Sequence, residues 1–265
     1  MGGEKWTDRT ALLLGDDKMS RLKAAHVLVV GVGGVGAYAA EMLVRAGVGE
    51  MTIIDADTVN VTNINRQLPA THGTIGRSKV EVLAERFRDI NPDIKLHAME
   101  MYLTEDLKIE NSKLKINSTE KSVQVDTREE PEDNSQFSVF NFQFDFIVDA
   151  IDTIAPKCAL IIEALKRGIP IVSSMGAGAK SDITQIRFAD LWDTYHCGLA
   201  KAVRTRLKKA GVRRALPVVF STEQADRGAV ITVEGEQNKK STAGTVSYMP
   251  AVFGCYLAEY VIRKL

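Results

Sequence analysis

The sequence has few cysteines, no excess of charge of either sign and no long apolar run. Only three cysteines occur among 265 residues, far apart and without a C-x-x-C pair. No histidine lies at a zinc-ligand interval from any of them, so neither a disulfide framework nor a structural zinc site is expected. Lys plus Arg number 34 and Asp plus Glu also number 34, so no global field attracts the chain to nucleic acid. Any site for a polyanion must then be a local patch.

The sequence also shows no signal peptide and no membrane-spanning segment. The first ten residues lack the apolar core of a signal peptide, and no stretch reaches the roughly 18 consecutive apolar residues of a membrane span. We therefore expect a cytoplasmic protein without a membrane span. The length of 265 residues and the hydrophobic content of 45% allow one extended sheet with helices on both faces.

Short runs rich in valine and isoleucine alternate with helical patterns along the chain. This alternation predicts an α/β fold of Rossmann-like type, a mostly parallel sheet with helices on both faces, extended by a smaller mixed second half. The predicted strands cover residues 26–30, 51–54, 94–99, 144–148, 169–172 and 218–220, and the predicted helices cover 37–45, 78–90, 199–209 and 251–263.

A charged insertion interrupts this pattern at about residues 105–136, within a single predicted domain that covers residues 1–265. The segment is dense in Glu, Lys, Asn and Ser and shows no helical periodicity. Apolar and polar residues alternate around Leu114 and Val123, which is typical of an exposed β-hairpin. The composition is equally typical of a loop, and the sequence leaves both possibilities open.

A glycine-rich segment, Gly31-Val32-Gly33-Gly34-Val35-Gly36, follows the first predicted strand and opens a helix. In this setting backbone amides and the helix N-terminus bind phosphate oxygens. The pattern fits NAD, FAD and ATP alike, and Asp55 at the end of the second strand suits the ribose hydroxyls of all three. The candidate nucleotide residues of this segment are Gly31, Gly33, Gly34 and Gly36.

The polar segment after Asp55 favours ATP over the dinucleotides. It continues through Asn63 to Arg66, and Lys79 follows at the start of the next helix. Arg presents a planar fork of donors to phosphate oxygens, and Lys79 adds a second cation. Amides and cations crowded beside the ribose carboxylate suit a triphosphate.

The glycine loop, the D-x-D-x-V-x-x-x-N-x-x-R-Q block and the G-x-x-K helix start together resemble the ThiF/MoeB superfamily, bacterial relatives of the ubiquitin-activating enzymes. The resemblance covers nearly the whole chain. It implies that ATP and Mg²⁺ bind the chain. The implied ligands are Asp55 for the ribose, Asn63 and Arg66 for the phosphates, Lys79 for the phosphate chain and Asp152 for Mg²⁺, with Asp57 and Gln67 completing the block.

The resemblance extends to the N-terminal segment. Arg9 is similar to an arginine that members of the superfamily deliver into the ATP site of a partner subunit, which implies a homodimer. A solvated N-terminal arginine is an equally good interpretation. The resemblance makes Arg9, Arg66, Lys79 and Asp152 the candidate catalytic residues.

The second half resembles one branch of the superfamily, the tRNA threonylcarbamoyladenosine dehydratases. The similar segments are 173–178, 184–186, 197–201 and 219–223, together with 9–15 near the N-terminus. The branch implies a tRNA substrate whose threonylcarbamoyl carboxylate, next to the anticodon, is activated by ATP and cyclised with loss of water. The alternative is adenylation of the C-terminus of a ubiquitin-like sulfur-carrier protein, and a sulfur-transfer protein is a further candidate partner.

Two features near residue 200 bear on this choice. Cys197 follows His196, and the pair suggests a thiol nucleophile, although free cysteines more often serve as small apolar residues. The only dense basic run of the chain follows and is a candidate tRNA surface, or alternatively a solvated helix face. It comprises Lys201, Arg204, Arg206, Lys208, Lys209, Arg213 and Arg214.

Overall fold

The computed structural model describes residues 5–104, 107, 109–110, 139–232 and 241–265. The helices are α1 (Asp8–Leu14), α2 (Asp16–Ala24), α3 (Gly36–Arg45), α4 (Lys79–Ile90), α5 (Ile154–Arg167), α6 (Gly198–Lys209) and α7 (Tyr248–Lys264). The strands are β1 (His26–Val30), β2 (Glu50–Asp55), β3 (Lys95–Glu100), β4 (Tyr102–Leu103), β5 (Ile109–Glu110), β6 (Phe146–Asp149), β7 (Ile171–Ser174), β8 (Ile186–Asp190), β9 (Pro217–Ser221), β10 (Val230–Thr232) and β11 (Ser241–Ala243). The hairpin considered for the insertion lies outside the described residues.

Seven of these strands form one sheet in the order β3-β2-β1-β6-β7-β9-β8. Every neighbouring pair is parallel except β8 with β9, which is antiparallel. The predicted Rossmann-like, mostly parallel sheet is therefore confirmed. The antiparallel strand β8 was not predicted, because its side chains are half polar and it lies at the sheet edge, where only one face needs to be apolar.

Helices cover both faces of the sheet. Along β1, Val27 and Val29 pack with α3, α4 and α7 on one face, whereas Leu28 and Val30 pack with α5 and α6 on the other. All five residues of β1 are buried, as the continuous apolar run predicts. Among the described residues, no helix has both the length and the apolar character needed to cross a membrane.

Some predicted boundaries are wrong. The strands predicted to begin at residues 144 and 169 begin two residues later, at Phe146 and Ile171. The short helices α1 and α2 were not predicted, because together they bury only Leu22 completely and so carry little apolar periodicity.

A buried ion pair links the central strand β6 to the helix that follows it. Lys157 Nζ lies 2.9 Å from Asp149 Oδ2, and neither side chain is exposed. Asp149 and Lys157 also form hydrogen bonds with neighbouring groups. The Ser173 hydroxyl donates to Asp149 Oδ2 at 2.6 Å, the Ile151 amide donates to Asp149 Oδ1, and Lys157 Nζ donates to the Ile151 carbonyl. This network holds the connection between β6 and α5 in one conformation.

We expect replacement of Lys157 by Met to destabilise the fold. The side-chain length is kept, but Asp149 remains buried without its counter-charge, which costs about 3–5 kcal/mol in the free energy of unfolding at neutral pH. Urea titration measures the loss. Lys166→Met, on the exposed surface of the same helix, is the matched control and should stay within about 0.5 kcal/mol of wild type. Equal stability of both variants would contradict a structural role for the ion pair.

Candidate nucleotide-binding site

The glycine loop lies where β1 ends, at the carboxyl edge of the sheet. Gly31 has a φ of 83°, and a Cβ there would meet the Ala150 carbonyl oxygen at 2.8 Å. A Cβ at Gly36 would lie 1.8 Å from the Gly31 oxygen. Both positions therefore require glycine, since the loop packs backbone to backbone against the residue after β6.

Asp55 ends β2 and is held against this loop. Its Oδ2 accepts a hydrogen bond from the Val32 amide at 2.8 Å, and its Oδ1 accepts one from the Asp57 amide at 2.9 Å. Burial raises the pKa of the Asp55 carboxyl group, and the neighbouring Lys79 partly opposes this rise. The carboxylate is thus oriented at the edge of the loop, where it can accept hydrogen bonds from ribose hydroxyls.

Lys79 begins α4 and reaches towards the same edge. Its Nζ lies 2.7 Å from Asp57 Oδ2, and its side chain is only 4% exposed. The isolated bridge between Thr58 and Ser78 brings the two segments together. The structure therefore places an ammonium group beside Asp55 and Asp57, where it can neutralise a phosphate.

The segment after Asp57 folds over the glycine loop. A Cβ at Gly34 would lie 3.6 Å from Arg66 Cγ, and one at Gly33 would lie 3.6 Å from Gln67 Nε2. Arg66 donates to the Thr62 carbonyl and to Asn65 Oδ1. Arg66, a predicted phosphate ligand, and Gln67, a predicted nucleotide-binding residue, thus both line the loop.

Asn63 and Gln67 differ in how their side chains are engaged. Asn63 Oδ1 accepts the Asn60 amide at 3.1 Å and caps the short 3-10 helix Val61–Asn63. Gln67 Oε1, in contrast, is buried and has no hydrogen-bond partner within the described part of the chain. Asn63 therefore already has a structural role, whereas the Gln67 oxygen can accept a hydrogen bond from a ligand.

Asp152 lies in the connection between β6 and α5 and is exposed. Burial lowers the pKa of the Arg66 guanidinium, and the Asp152 carboxylate opposes this effect. The two side chains are therefore electrostatic neighbours. A carboxylate at this edge is suited to a Mg²⁺ ion that bridges phosphate oxygens.

Arg9 does not join these residues within one chain. It is exposed on α1, two residues from Thr7, whose Cγ2 would lie 3.7 Å from a Cβ at Gly47. Gly47 follows α3, and α3 begins at the glycine loop, so α1 lies at the far end of that helix, about 15 Å away. Within one chain Arg9 is thus remote from the loop.

A basic groove adjoins the Asp152 connection. A cavity of about 530 Å³ lies between the start of α5 and one face of α6. Of the predicted basic run, Lys201, Arg206 and Lys209 line it, together with Ile154, Gly198, Ala202 and Thr205. Arg204 instead points inward and donates to the Leu191 carbonyl, and Arg214 donates to the Leu165 carbonyl. The run is therefore divided between a groove and the support of neighbouring loops.

Cys197 is the N-cap residue of α6. Its Sγ accepts the Ala200 amide at 3.5 Å, and the residue is 9% exposed. His196 Nδ1 lies 3.0 Å from the Thr222 carbonyl oxygen. The charged neighbour of the thiol is Lys180, whose pKa is lowered by burial while the Cys197 sulfur opposes the shift. These contacts give Cys197 a capping role.

Several residues that shape the site were not predicted from the sequence. The Val32 amide binds Asp55, the Ala150 backbone packs on the glycine loop, and Pro250 of α7 would meet a Cβ at Gly34 at 3.1 Å. These contacts use backbone or ring atoms, which leave no chemical signal in a sequence. Lys157 could have been found, because a lysine among the apolar positions of α5 signals a buried counter-charge.

Comparisons with known proteins match nearly the whole chain. The sequence profile of the ThiF family matches residues 7–265. The tRNA threonylcarbamoyladenosine dehydratase of Bacillus subtilis (strain 168) is 36% identical over 264 residues, which cover 97% of this chain and 93% of that protein. The dehydratase of Escherichia coli (strain K12) is 34% identical over an alignment that covers 99% of this chain and 95% of that protein.

A solved structure agrees with these matches. The crystal structure of E. coli tRNA N6-threonylcarbamoyladenosine dehydratase, TcdA, in complex with ATP superposes with a TM-score of 0.79 at 32% identity, covering 97% of this chain and 92% of that one. The E. coli molybdopterin-synthase adenylyltransferase, by comparison, is 26% identical over 68% of this chain and 61% of its own length.

We expect replacement of Gly36 by Ala to destabilise the protein, although alanine is the better helix former. The added Cβ would meet the Gly31 oxygen, and the forced displacement costs about 1–3 kcal/mol or more. Thermal unfolding measures the loss. Gly73→Ala, where the nearest atom is 4.0 Å away, is the control and should leave the melting temperature nearly unchanged. A Gly36→Ala protein as stable as the control would contradict the close packing of the loop.

Proposed function

The chain belongs to the ThiF family, and we propose that it is an ATP-dependent dehydratase that cyclises threonylcarbamoyladenosine next to the anticodon of tRNA. The observation that carries this proposal is the extent of the match. The bacterial dehydratases align with the chain almost from end to end, whereas the molybdopterin-synthase adenylyltransferase aligns over two thirds of it. The family match over residues 7–265 also supports a single adenylating domain, within which the insertion at about 105–136 remains a prediction from composition.

The proposed reaction has two steps. The threonyl carboxylate attacks the α-phosphate of ATP, a carboxyl–phosphate bond forms, and pyrophosphate leaves. The nitrogen of the substrate's own carbamoyl group then attacks the acyl carbon, AMP leaves and a proton is released. Water is removed from the substrate at the cost of one ATP, and no protein nucleophile is needed, in agreement with the capping role of Cys197.

The protein's part in this chemistry is to position the reactants and neutralise charge. Asp55 would hold the ribose, and Lys79 and Arg66 would face the phosphates across the glycine loop. The buried Oε1 of Gln67 supports a ligand that donates a hydrogen bond. Asp152 would hold Mg²⁺, which when bound neutralises charge on the phosphates of ATP.

A homodimer would complete the site with Arg9. Within one chain Arg9 lies beyond the far end of α3, so it can serve a nucleotide site only in a second copy. Large apolar side chains surround it on the surface: Trp6 is 51% exposed, Leu12 90% and Leu13 83%. An exposed apolar group of this size supports a protein contact at α1.

The groove beside α6 supports a tRNA substrate. Its lysines and arginine form a local positive patch, which a chain of zero net charge needs in order to bind a polyanion. Ile154 lines the groove and lies two residues after Asp152, so a phosphate backbone bound there would approach the adenylation site. A tRNA substrate agrees with the predicted cytoplasmic location, while the sulfur-transfer partner remains a prediction of the superfamily resemblance alone.

The decisive test is AMP release from ATP with Mg²⁺, with and without tRNA carrying threonylcarbamoyladenosine. We expect the modified tRNA to stimulate release. Asp152→Asn should reduce the rate by about 100-fold or more, because one carboxylate oxygen that could coordinate the ion beside the reacting phosphates is lost. Asp93→Asn, the same change at an exposed aspartate away from the site, should have the wild-type rate.

Other outcomes of this assay would redirect the assignment. Release stimulated by a carrier protein ending in Gly-Gly, and indifferent to tRNA, would establish adenylation of a sulfur carrier instead. No release under any condition would contradict both enzyme assignments and favour a nucleotide-binding scaffold.

We also expect Lys201→Ala to weaken tRNA binding and to reduce its salt dependence. Each phosphate neutralised contributes about 0.9 to the slope of log affinity against log salt concentration for a duplex and about 0.7 for a single strand. Filter binding over a range of salt concentrations measures the slope. Lys208→Ala, an exposed lysine of α6 outside the groove, should change the slope less. Identical slopes for both variants and wild type would contradict the groove as the tRNA surface.

A further inference from the structure

A group of polar side chains lies on the sheet face that α5 and α6 cover, at the amino ends of three strands. His26 pairs with Glu50 in the register of β1 and β2, and Thr52 pairs with His97 in that of β2 and β3. Side chains two residues apart on a strand share a face. His26, Glu50 and His97 therefore converge at the end of the sheet opposite to the glycine loop.

The donor atoms of these three side chains lie close together. His97 Nε2 is 2.9 Å from Glu50 Oε1, and His26 Nδ1 is 3.5 Å from the same oxygen. All three atoms lie within 4.8 Å of one another. Ligand atoms around a four-coordinate zinc ion, with bonds of about 2.0–2.1 Å, are separated by about 3.3 Å. The two distances from Glu50 Oε1, 2.9 Å to His97 and 3.5 Å to His26, lie on either side of this separation.

We propose that His26, Glu50 and His97 form a binding site for a first-row transition-metal dication, with Zn²⁺ as the expected occupant. Two imidazoles and one carboxylate are a ligand set that such ions prefer, whereas Mg²⁺ and Ca²⁺ prefer oxygen ligands alone. The fourth position of a tetrahedral ion would be open to water. The inference uses no residue of the nucleotide site and does not depend on the proposed function.

The surroundings of His26 match those of a metal-binding histidine. Its second nitrogen, Nε2, lies 2.9 Å from Thr52 Oγ1. A proton on Nε2 donated to this hydroxyl leaves Nδ1 bare and directed at the site, which is how outer partners orient metal ligands.

Aromatic rings and Lys95 border the cluster within the described part of the chain. The ring of Phe144 lies 4.7 Å from that of His26, and the ring of Phe142 lies 5.3 Å from that of His97, between centroids. These rings form an apolar wall beside the two imidazoles. Lys95 Nζ lies 2.9 Å from Glu50 Oε1, but its side chain is 67% exposed. It can therefore move into solvent when a dication takes its place beside the carboxylate.

An ion at this position would stabilise the folded state. His26 and Gly31 lie at opposite ends of β1, about 16 Å apart for five residues of extended chain. The ion would therefore be remote from the reacting phosphates. It would tie β1, β2 and β3 together at their amino ends and raise the stability of the folded state by mass action.

Zn²⁺ binding to the chelator-treated full chain tests the proposal, measured by competition with a chromogenic chelator in excess Mg²⁺. We expect one equivalent per chain and a higher melting temperature with Zn²⁺. His97→Gln should weaken binding on the order of 100-fold, because a ligand is lost. His72→Gln, the same change at an exposed histidine, and Cys255→Ser, which removes the exposed thiol, should bind as wild type.

A measurement on the unmodified protein covers the case in which His97→Gln fails to fold. The chain has four histidines, so imidazole nitrogen NMR spectra can follow each during Zn²⁺ titration. Shifts confined to His26 and His97 would support the site. Shifts at His72 or His196 instead, or wild-type affinity in His97→Gln, or no binding at micromolar Zn²⁺, would overturn it.

Discussion

The buried ion pair between Asp149 and Lys157 governs the geometry of the carboxyl edge. Both charges lie in the interior, so each must keep its partner or the fold loses several kcal/mol. The hydrogen bonds of the two charged groups to the Ile151 amide and carbonyl order the backbone from Asp149 to Ile151. The Ala150 carbonyl then packs against Gly31. The ion pair therefore supports both the glycine loop and the connection that carries Asp152.

The two ends of the sheet carry different chemistry. At the carboxyl ends, Lys79, Arg66 and the Asp55 carboxylate that the Val32 amide binds form the candidate site for a nucleotide. At the amino ends, His26, Glu50 and His97 create a site for cations. Parallel strands make this division possible, because all their carboxyl ends meet at one edge and all their amino ends at the other.

Much of the candidate nucleotide site could be predicted because its signals are local. The glycine spacing, Asp55 after a buried strand and Lys79 at a helix start lie within short segments whose structure depends on neighbouring residues. The cluster of His26, Glu50 and His97 could not be predicted, since its members come from three strands and meet only through the sheet register. Arg204 was assigned to a surface patch for a similar reason, because its inward contacts come from residues 191 and 194.

The sequence by itself determined the fold class, because apolar periodicity and glycine positions act over a few residues. It also predicted which edge of the sheet carries the candidate nucleotide site and the type of residue found there. Only the tertiary structure decided which polar side chains pair in the interior, which basic residues face a groove and that Arg9 lies far from the glycine loop of its own chain. Those outcomes depend on contacts between residues distant in sequence. Burial then sets the free energy of each charge according to its neighbours in space.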